Sequence, residues 1–526
     1  MTIASPSPKA TKRKTKSGPL FEGAEWNYDL LRKVFDAIEA VGIGEMGLNV
    51  YPNQIEVITA EQMLDAYASI GMPQMYRHWS FGKHFAREDA MYKRGHRALA
   101  YEIVINSDPC ISYIMEENSM TMQTLVLAHA AFGHNHFFKN NYLFKQWTDA
   151  GAILDYLAFA KTFVTECEEH FGMDAVESVL DSAHALMQQG ISRHPGKRRV
   201  RTLAQERERL AARHAYEEST FSDLWRTVPK AAVETEVKKP TGGSGPQEIA
   251  ALGIPEENLL YFLEKNAPKL ADWQRELLRI VRMLAQYFYP QRQTKLMNEG
   301  CATFTHYEIL NRMHGHGQLT DGSMMEFLHS HSSVVAQPRF DQPHYNGLNP
   351  YALGYAMMRD IKRIAEEPTS EDREWFPQFA GSGDALGALK HAWAEFRDDS
   401  FVLQYLSPKV MRDFRLFEIS DTATSSSVLV RSIHNEQGYK RVRRSLANHY
   451  DVSAHDPDLQ VTDADLSGAR RLVVTHNVRN GVLLDKEQAD RALQHLASLW
   501  GYRVKLVEVD VENGKTLKEH EALPVP

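Results

Sequence analysis

Cysteine is scarce in this chain of 526 residues. Its three cysteines, Cys110, Cys167 and Cys301, have no CxxC spacing, and three cannot all pair with one another. The sequence therefore does not predict a disulfide framework, and we expect a reducing, cytoplasmic setting.

Long apolar runs and an excess of basic charge are also lacking. No run approaches the roughly 20 apolar residues needed to cross a bilayer, so we expect no membrane span. The formal net charge of −8 argues against nucleic acid as the main partner, because nucleic-acid-binding proteins usually carry a basic excess. Residues 1–19 are basic and rich in Ser and Pro, with no apolar core. They predict a disordered tail and not a secretory signal.

The overall composition of the chain, 43% hydrophobic and 24% charged, is typical of a globular protein. Apolar residues recur at helical spacing through most of residues 20–404, which predicts a mainly α-helical N-terminal region. The stretch KKPTGGSGP predicts a flexible insertion at about 229–250, although a linker between domains would have the same composition. After residue 404, LFEIS, SVLVRSI, RRLVVTHNV and YRVKLVEVD predict strands. Residues 405–526 therefore predict a small α+β C-terminal domain.

Two segments concentrate residue types that bind metals. LAHAAFGHNHFF (127–138) carries His129, His134 and His136 in an apolar, helix-like context. NEGCATFTHYEIL (298–310) places Glu299 and His306 about two helical turns apart, on one face. Imidazoles and a carboxylate from two helices are ligands that zinc and related first-row metals prefer. We therefore predict a divalent-metal site, with zinc as the favoured ion.

A regular helix cannot direct both His129 and His134 of the first segment toward one ion. In a regular α-helix His129 and His136 share a face, whereas His134 lies about 140° from His129. A π-bulge, or unwinding at Gly133, would bring His129 and His134 together. The alternative to a metal site is a set of core histidines that are hydrogen-bonded to their neighbours.

Both segments are similar to parts of the gluzincin metallopeptidases, which makes a zincin-like helical core one expectation for the fold. There the small residue after the ligand Glu lets another helix approach closely, as Gly300 would here. The His segment departs from the HExxH motif, because HAAFGH is one residue longer and Ala130 occupies the general-base position. A hydrolase would need its base from elsewhere, with Glu117 and Glu308 as candidates.

A second group of polar residues follows, between residues 314 and 351. Paired HxH spacing can chelate metals, but glycine-rich polar loops often carry exposed histidines, and exposure is the favoured interpretation for His314, His316, His329 and His331. PHYNGLNPYALGY could bring hydrogen-bond donors to a cleft, namely His344, Tyr345 or Tyr351. Tyr351 could equally be a packing residue.

Five long segments make the chain similar to the stage V sporulation protein R (SpoVR) family: 25–59, 72–85, 115–144, 296–310 and 347–361. The resemblance implies a role in the spore cortex, a peptidoglycan layer, or in the stress physiology of bacteria that form no spores. It also implies a serine protein kinase and a von Willebrand A-like protein as partners. The family motif carries onto Ala128-His129, Gly133-His134, 137–139 and 298–300 with His306, and it leaves His136 outside.

Two functional hypotheses follow from the motifs and the resemblance. The first is a metal-dependent hydrolase of peptides or peptidoglycan precursors, in which His129, His134, Glu299 and His306 bind zinc. The second is a non-enzymatic regulatory or scaffold protein that acts with the kinase and the von Willebrand A-like partner. The number of protein ligands separates them, because four favour a structural ion and three leave a catalytic position open.

Overall fold

The structure is a computed structural model of the chain. It describes residues 18–68, 72, 75–79, 83, 86, 102–193, 254–340, 342, 345–420, 429–432, 435–466, 468–479 and 481–524. The predicted tail up to residue 17, the predicted insertion at 229–250 and His344 lie outside the described residues.

The described part of the chain is mainly helical, as predicted. The α-helices are α1 (Tyr28–Glu39), α2 (Ala60–Ala68), α3 (Met120–Leu127), α4 (Asn135–Asn140), α5 (Tyr142–Trp147), α6 (Ile153–Phe171), α7 (Met173–Ala185), α8 (Leu259–Asn266), α9 (Asp272–Gln293), α10 (Lys295–Gly315), α11 (Asp321–Val334), α12 (Pro350–Glu366), α13 (Ser370–Trp375), α14 (Ala385–Glu395), α15 (Asp398–Tyr405), α16 (Pro408–Asp413), α17 (Glu436–Tyr450), α18 (Val452–His455) and α19 (Lys486–Trp500). Two π-helical segments, π1 (Ala40–Glu45) and π2 (Ala128–His134), and a 3₁₀ turn (Met187–Gln189) complete the helical elements.

Nine strands are present in the described residues: β1 (Asn53–Ile58), β2 (Glu102–Ile105), β3 (Cys110–Met115), β4 (Glu418–Ser420), β5 (Leu429–Ser432), β6 (Leu459–Ala464), β7 (Leu472–Val478), β8 (Val504–Asp510) and β9 (Thr516–Ala522). They form a three-stranded sheet in the order β1-β3-β2, a β4-β5 pair, and a four-stranded sheet in the order β6-β7-β8-β9. None of the helices in the described residues is both long enough and apolar enough to span a membrane.

The chain divides into two compact units. The first comprises residues 1–162 and 290–451, and the second comprises 163–289 and 452–526. In the second unit β7 and β8 are parallel and α19 is the crossover between them, while β6 and β9 add antiparallel edges. The predicted small sheet region near the C-terminus is therefore confirmed. The domain boundary at residue 405 and the zincin-like core stay predictions.

Helix α10 is central to the first unit and packs closely against α12 and π2. A Cβ added to Gly300 would lie 2.7 Å from the carbonyl carbon of Gly354 on α12. One added to Gly133 would lie 2.5 Å from the Cα of Ala302. Because nonbonded carbon atoms are not found this close, the two glycines allow the three helical segments to meet backbone against backbone.

The first turn of α10 is held by the buried carboxyl group of Asp398. Its two oxygens accept hydrogen bonds from the backbone N–H groups of Leu296, at 2.8 Å, and Met297, at 2.9 Å. Such N–H groups have no partner within their own helix, so the Asp398 side chain satisfies two of them, although burial raises its pKa to about 8. The position of Glu299, at the end of this turn, is thereby fixed.

Candidate metal centre

The histidine segment contains the π-helical geometry that its spacing required. Between α3 and α4, residues Ala128–His134 form π2, in which the hydrogen bonds run from i to i+5. His129 and His134, five residues apart, therefore lie side by side, with ring centroids 4.6 Å apart and planes at 84°. The predicted distortion of the helix near Gly133 is confirmed, and π-bulges are frequent at functional sites.

Two carboxylates face these imidazoles, one from α10 and one from β2. Glu299 Oε2 lies 3.8 Å from His129 Nε2 and 3.6 Å from His134 Nε2. Glu102 Oε1 lies 3.5 Å from His129 Nε2. Two donors that each lie about 2.1 Å from one ion, at the tetrahedral angle, are about 3.4 Å apart. The observed separations are close to this value, and the ligand atoms of Glu102, His129 and His134 all lie within 4.8 Å of one another.

One carboxylate oxygen at the centre of the site lacks a donor. Within the described part of the chain, the buried Glu299 Oε2 has no donor at ordinary hydrogen-bond distance, because the two Nε2 atoms that interact with it lie 3.6 and 3.8 Å away, while Tyr351 donates a hydrogen bond to the same carboxylate. A buried acceptor without a partner is unfavourable by about 1–3 kcal/mol. A cation bound between Glu299 and the two imidazoles would remove that cost, so the residues present fit a divalent metal.

The two carboxylates differ in pKa because the groups around them differ. Burial raises the pKa of Glu102, and the nearby Glu299 raises it further. Burial also acts on Glu299, but the two histidines and Tyr351 outweigh it and hold the pKa of Glu299 below its usual value. The site thus combines a readily ionised carboxylate with one that takes up a proton more easily.

The pKa values of His129 and His134 are also shifted in opposite directions. Burial lowers the pKa of His129, but the Glu299 and Glu102 carboxylates outweigh burial and raise it. Burial, together with the charge of His129, lowers the pKa of His134 to about 4. His134 is therefore neutral near pH 7, and His134 Nδ1 lies 2.9 Å from the side-chain oxygen of Asn298. Donation from Nδ1 to that oxygen leaves the lone pair on Nε2, facing Glu299.

His306, predicted as a ligand, lies directly behind His129. Its Nδ1 is 2.9 Å from His129 Nδ1, and its Nε2 is 2.9 Å from Nδ1 of His331 on α11. Both ring nitrogens of His306 are thus engaged with other histidines. Burial, with the neighbouring histidine charges, lowers the pKa of His306 well below its usual value.

The two predicted general bases are engaged elsewhere. Glu117 is exposed, and its Oε1 accepts a hydrogen bond of 3.2 Å from the backbone N–H of Ala60. The Glu308 carboxylate pairs with Lys362, at 2.8 Å, and more loosely with Arg312, at 3.9 Å. Of the two carboxylates that face the histidines, Glu299 was predicted and Glu102 was not.

The remaining predicted histidines separate into distinct surroundings. His136 Nδ1 accepts a hydrogen bond of 3.0 Å from the backbone N–H of Asn49, so this ring holds a neighbouring loop. Among the four histidines between residues 314 and 331, His314 pairs with Asp321 and His316 with Glu45, while His329 is exposed. Of these four histidines His331 alone is buried. It contacts His306, which in turn contacts His129.

Comparison with known sequences identifies the family. The family described as SpoVR like protein matches residues 25–455, and the SpoVR-like C-terminal domain matches residues 457–511. The chain belongs to the SpoVR family. The protein described as "Uncharacterized protein YcgB" of Escherichia coli (strain K12) is 50% identical over 500 residues, covering 95% of this chain and 96% of YcgB. No solved structure matches the chain. All the residues of the metal centre, from Glu102 to Tyr351, lie within the SpoVR match.

Proposed function

We propose that this SpoVR protein binds one divalent metal, with zinc favoured, through His129, His134 and Glu299. The observation that supports this most directly is the position of Glu299 Oε2, which is buried and lies 3.6–3.8 Å from both Nε2 atoms, too far for an ordinary hydrogen bond but close to the separation of two ligands of one ion. Two histidines and one glutamate are the ligand set of several catalytic zinc sites, which leave a fourth position for water. His306 takes no position in this shell, because both its ring nitrogens bond to other histidines.

Glu102 is proposed as the general base of a hydrolytic reaction. It takes the part that the HExxH glutamate plays in zinc peptidases, whose equivalent position is Ala130 here. Its raised pKa suits proton transfer, and the lowered pKa of Glu299 suits ligation. When bound, the ion would lower the pKa of a water molecule toward neutrality. The Glu102 carboxylate would accept the proton, and the Tyr351 hydroxyl would keep Glu299 in place.

The substrate class rests on family resemblance. SpoVR proteins are associated by name with sporulation, and the spore cortex is a peptidoglycan. We therefore propose hydrolysis of peptide-type bonds in peptidoglycan fragments or free peptides. The proposed site differs from that of HExxH enzymes, because a π-turn carries the two histidines and a strand carries the base.

Hydrolysis of purified muropeptides by the metal-loaded protein, followed by mass spectrometry, tests this proposal. Glu299→Gln should lose metal and cleavage together, whereas Glu102→Gln should keep the metal and lose cleavage. The exposed Glu61 provides a control, and Glu61→Gln should behave as wild type. If Glu117→Gln or Glu308→Gln abolishes cleavage and Glu102→Gln does not, the assignment of the base is wrong.

A regulatory protein with a structural ion is the second candidate, and the position of Glu102 favours it. Glu102 Oε1 approaches His129 Nε2 more closely, at 3.5 Å, than Glu299 Oε2 does, at 3.8 Å, so it could close the shell as a fourth ligand. The partners would then be the serine protein kinase and the von Willebrand A-like protein that the resemblance implies. In that case Glu102→Gln would weaken metal binding, and His134→Ala would abolish capture of these two purified proteins.

A further inference from the structure

Three buried histidines form a continuous hydrogen-bonded line that ends at the metal centre. His129 Nδ1 lies 2.9 Å from His306 Nδ1, and His306 Nε2 lies 2.9 Å from His331 Nδ1. The three residues come from π2, α10 and α11, and their exposed fractions are 4%, 2% and 5%. Each contact joins two ring nitrogens, so in each one nitrogen must carry the proton and the other must accept it.

Binding of a cation at His129 Nε2 would leave only one consistent arrangement of protons. The single proton of neutral His129 must then be on Nδ1, which donates to His306 Nδ1. Neutral His306 consequently carries its proton on Nε2 and donates to His331 Nδ1. Neutral His331 carries its own proton on Nε2. One bond to a cation would therefore fix the tautomers of three residues on three segments of the chain.

We infer that His306 and His331 are positioning residues that hold His129 in the tautomer and ring orientation required for metal binding. This inference rests on the proposed metal-binding function. A metal-bound histidine usually donates its second N–H to a group behind it, and loss of that group typically weakens metal binding 10- to 100-fold. His134 has the side-chain oxygen of Asn298 in this role, and His129 has His306.

The choice of an imidazole behind His129 also suits the charge of the site. Glu102 and Glu299 together can supply two negative charges, which balance a divalent ion. A third carboxylate behind His129 would leave an uncompensated charge in a buried region. The surroundings of His306 are aromatic, with the Phe327 ring at 5.8 Å and perpendicular to it. The neutral imidazole of His306 accepts the hydrogen bond from His129 without adding charge to these aromatic surroundings.

Competition with a chelating dye for zinc, at constant pH, measures the effect on affinity. His306→Leu removes both hydrogen bonds and should weaken binding 10- to 100-fold. His306→Asn retains an oxygen close to the position of Nδ1, which can accept from His129, so its loss should be smaller. His331→Leu breaks only the outer contact and should also have a smaller effect. His329→Asn, an exposed change on the same helix, should have no effect.

Two further readouts separate positioning from a general role in stability. His306→Leu leaves the buried ring nitrogens of His129 and His331 without this partner, so the thermal midpoint of the metal-free variant should fall. Zinc affinities are therefore compared at a temperature where both proteins are folded, and His306→Asn, which keeps an acceptor for His129, should recover affinity. In the zinc-loaded wild type, long-range ¹H–¹⁵N spectra should show protons on His129 Nδ1, His306 Nε2 and His331 Nε2.

Equal zinc affinity of wild type and His306→Leu, or a His306 proton on Nδ1 in the zinc-loaded protein, would overturn the positioning role while leaving the metal site intact. A wild-type protein that binds no zinc or other divalent metal would instead overturn the proposed function, and this inference with it.

Discussion

His129 and His134 lie side by side across one turn of π-helix, with ring centroids 4.6 Å apart although five residues separate them in the chain. A regular α-helix would direct them about 140° apart. The extra residue relative to HExxH is therefore absorbed by the π-turn, and both rings still face the same carboxylate, Glu299. Gly133, within the turn, allows α10 to approach closely enough to place Glu299 there.

Close packing of α10 against α12 predicts a stability effect at Gly300. Its added Cβ would lie 2.7 Å from the carbonyl carbon of Gly354 and 2.8 Å from its Cα, so Gly300→Ala must move the helices apart. We expect a loss of about 1–3 kcal/mol in the free energy of unfolding, measured by urea denaturation. Zinc affinity should also fall, because Glu299 on α10 and Tyr351 on α12 would separate.

Gly315, at the end of the same helix, provides the matched control. Nothing lies within 4 Å of a Cβ added there. Gly315→Ala should therefore be neutral or stabilise by up to about 1 kcal/mol. Equal destabilisation by the two substitutions would show that helix contact is not the reason for Gly300.

Metal binding should depend on pH through His129. The Glu299 and Glu102 carboxylates raise the pKa of His129, so a proton competes with the ion for Nε2, and zinc affinity should fall as the pH drops through this raised value. Glu102→Gln removes one of the two charges and lowers the pKa of His129. The fall in affinity should then occur at lower pH, as measured by dye competition across a pH series. A fall that stays in place, or moves to higher pH, contradicts this account.

The second unit contains a buried carboxylate whose ionisation should contribute to stability. Glu508 accepts hydrogen bonds from His476 Nδ1 at 3.0 Å, His520 Nε2 at 3.2 Å and the Leu484 backbone N–H at 2.9 Å. Burial raises the pKa of Glu508, but these hydrogen bonds outweigh it and hold the pKa below its usual value.

Because the pKa of Glu508 is lower in the folded state, its contribution is present above the unfolded value of about 4.3 and is lost as the pH falls further. Glu508→Gln should cost about 1–3 kcal/mol at pH 7, measured by urea denaturation. The difference from wild type should shrink below about pH 4. A difference that is constant with pH would mean that the pKa of Glu508 is the same in the folded and unfolded states.

The residues of the histidine segment were sufficient to predict part of the site. The spacing of His129 and His134 in an apolar helix required a distortion, and Gly133 marked where it could occur. Glu102 could not be found in this way. It is a lone acid at the start of the short strand β2, and its approach to His129 depends on packing between distant parts of the chain, which no local pattern records.

The sequence around His331 does contain a pattern that predicts burial, although the HxH spacing favoured an exposed loop. Met324, Phe327 and His331 recur at the i, i+3, i+7 spacing of one helical face, and all three are buried. In the second unit, strands β7 and β8 were predicted from their β-branched residues. Strand β9, TLKEHEA, was missed because it is a largely exposed edge with few apolar residues.

The central claim is a metal ion between His129, His134 and Glu299, and metal content measures it most directly. Protein purified without an affinity tag should contain one equivalent of a divalent metal by inductively coupled plasma mass spectrometry. His134→Ala and Glu299→Gln should each lose it, and His329→Asn should retain it. A crystal should show an anomalous peak within about 2.3 Å of both Nε2 atoms. Wild-type protein that remains free of metal after incubation with zinc, manganese and ferrous iron, or variants that bind as wild type does, would contradict the account.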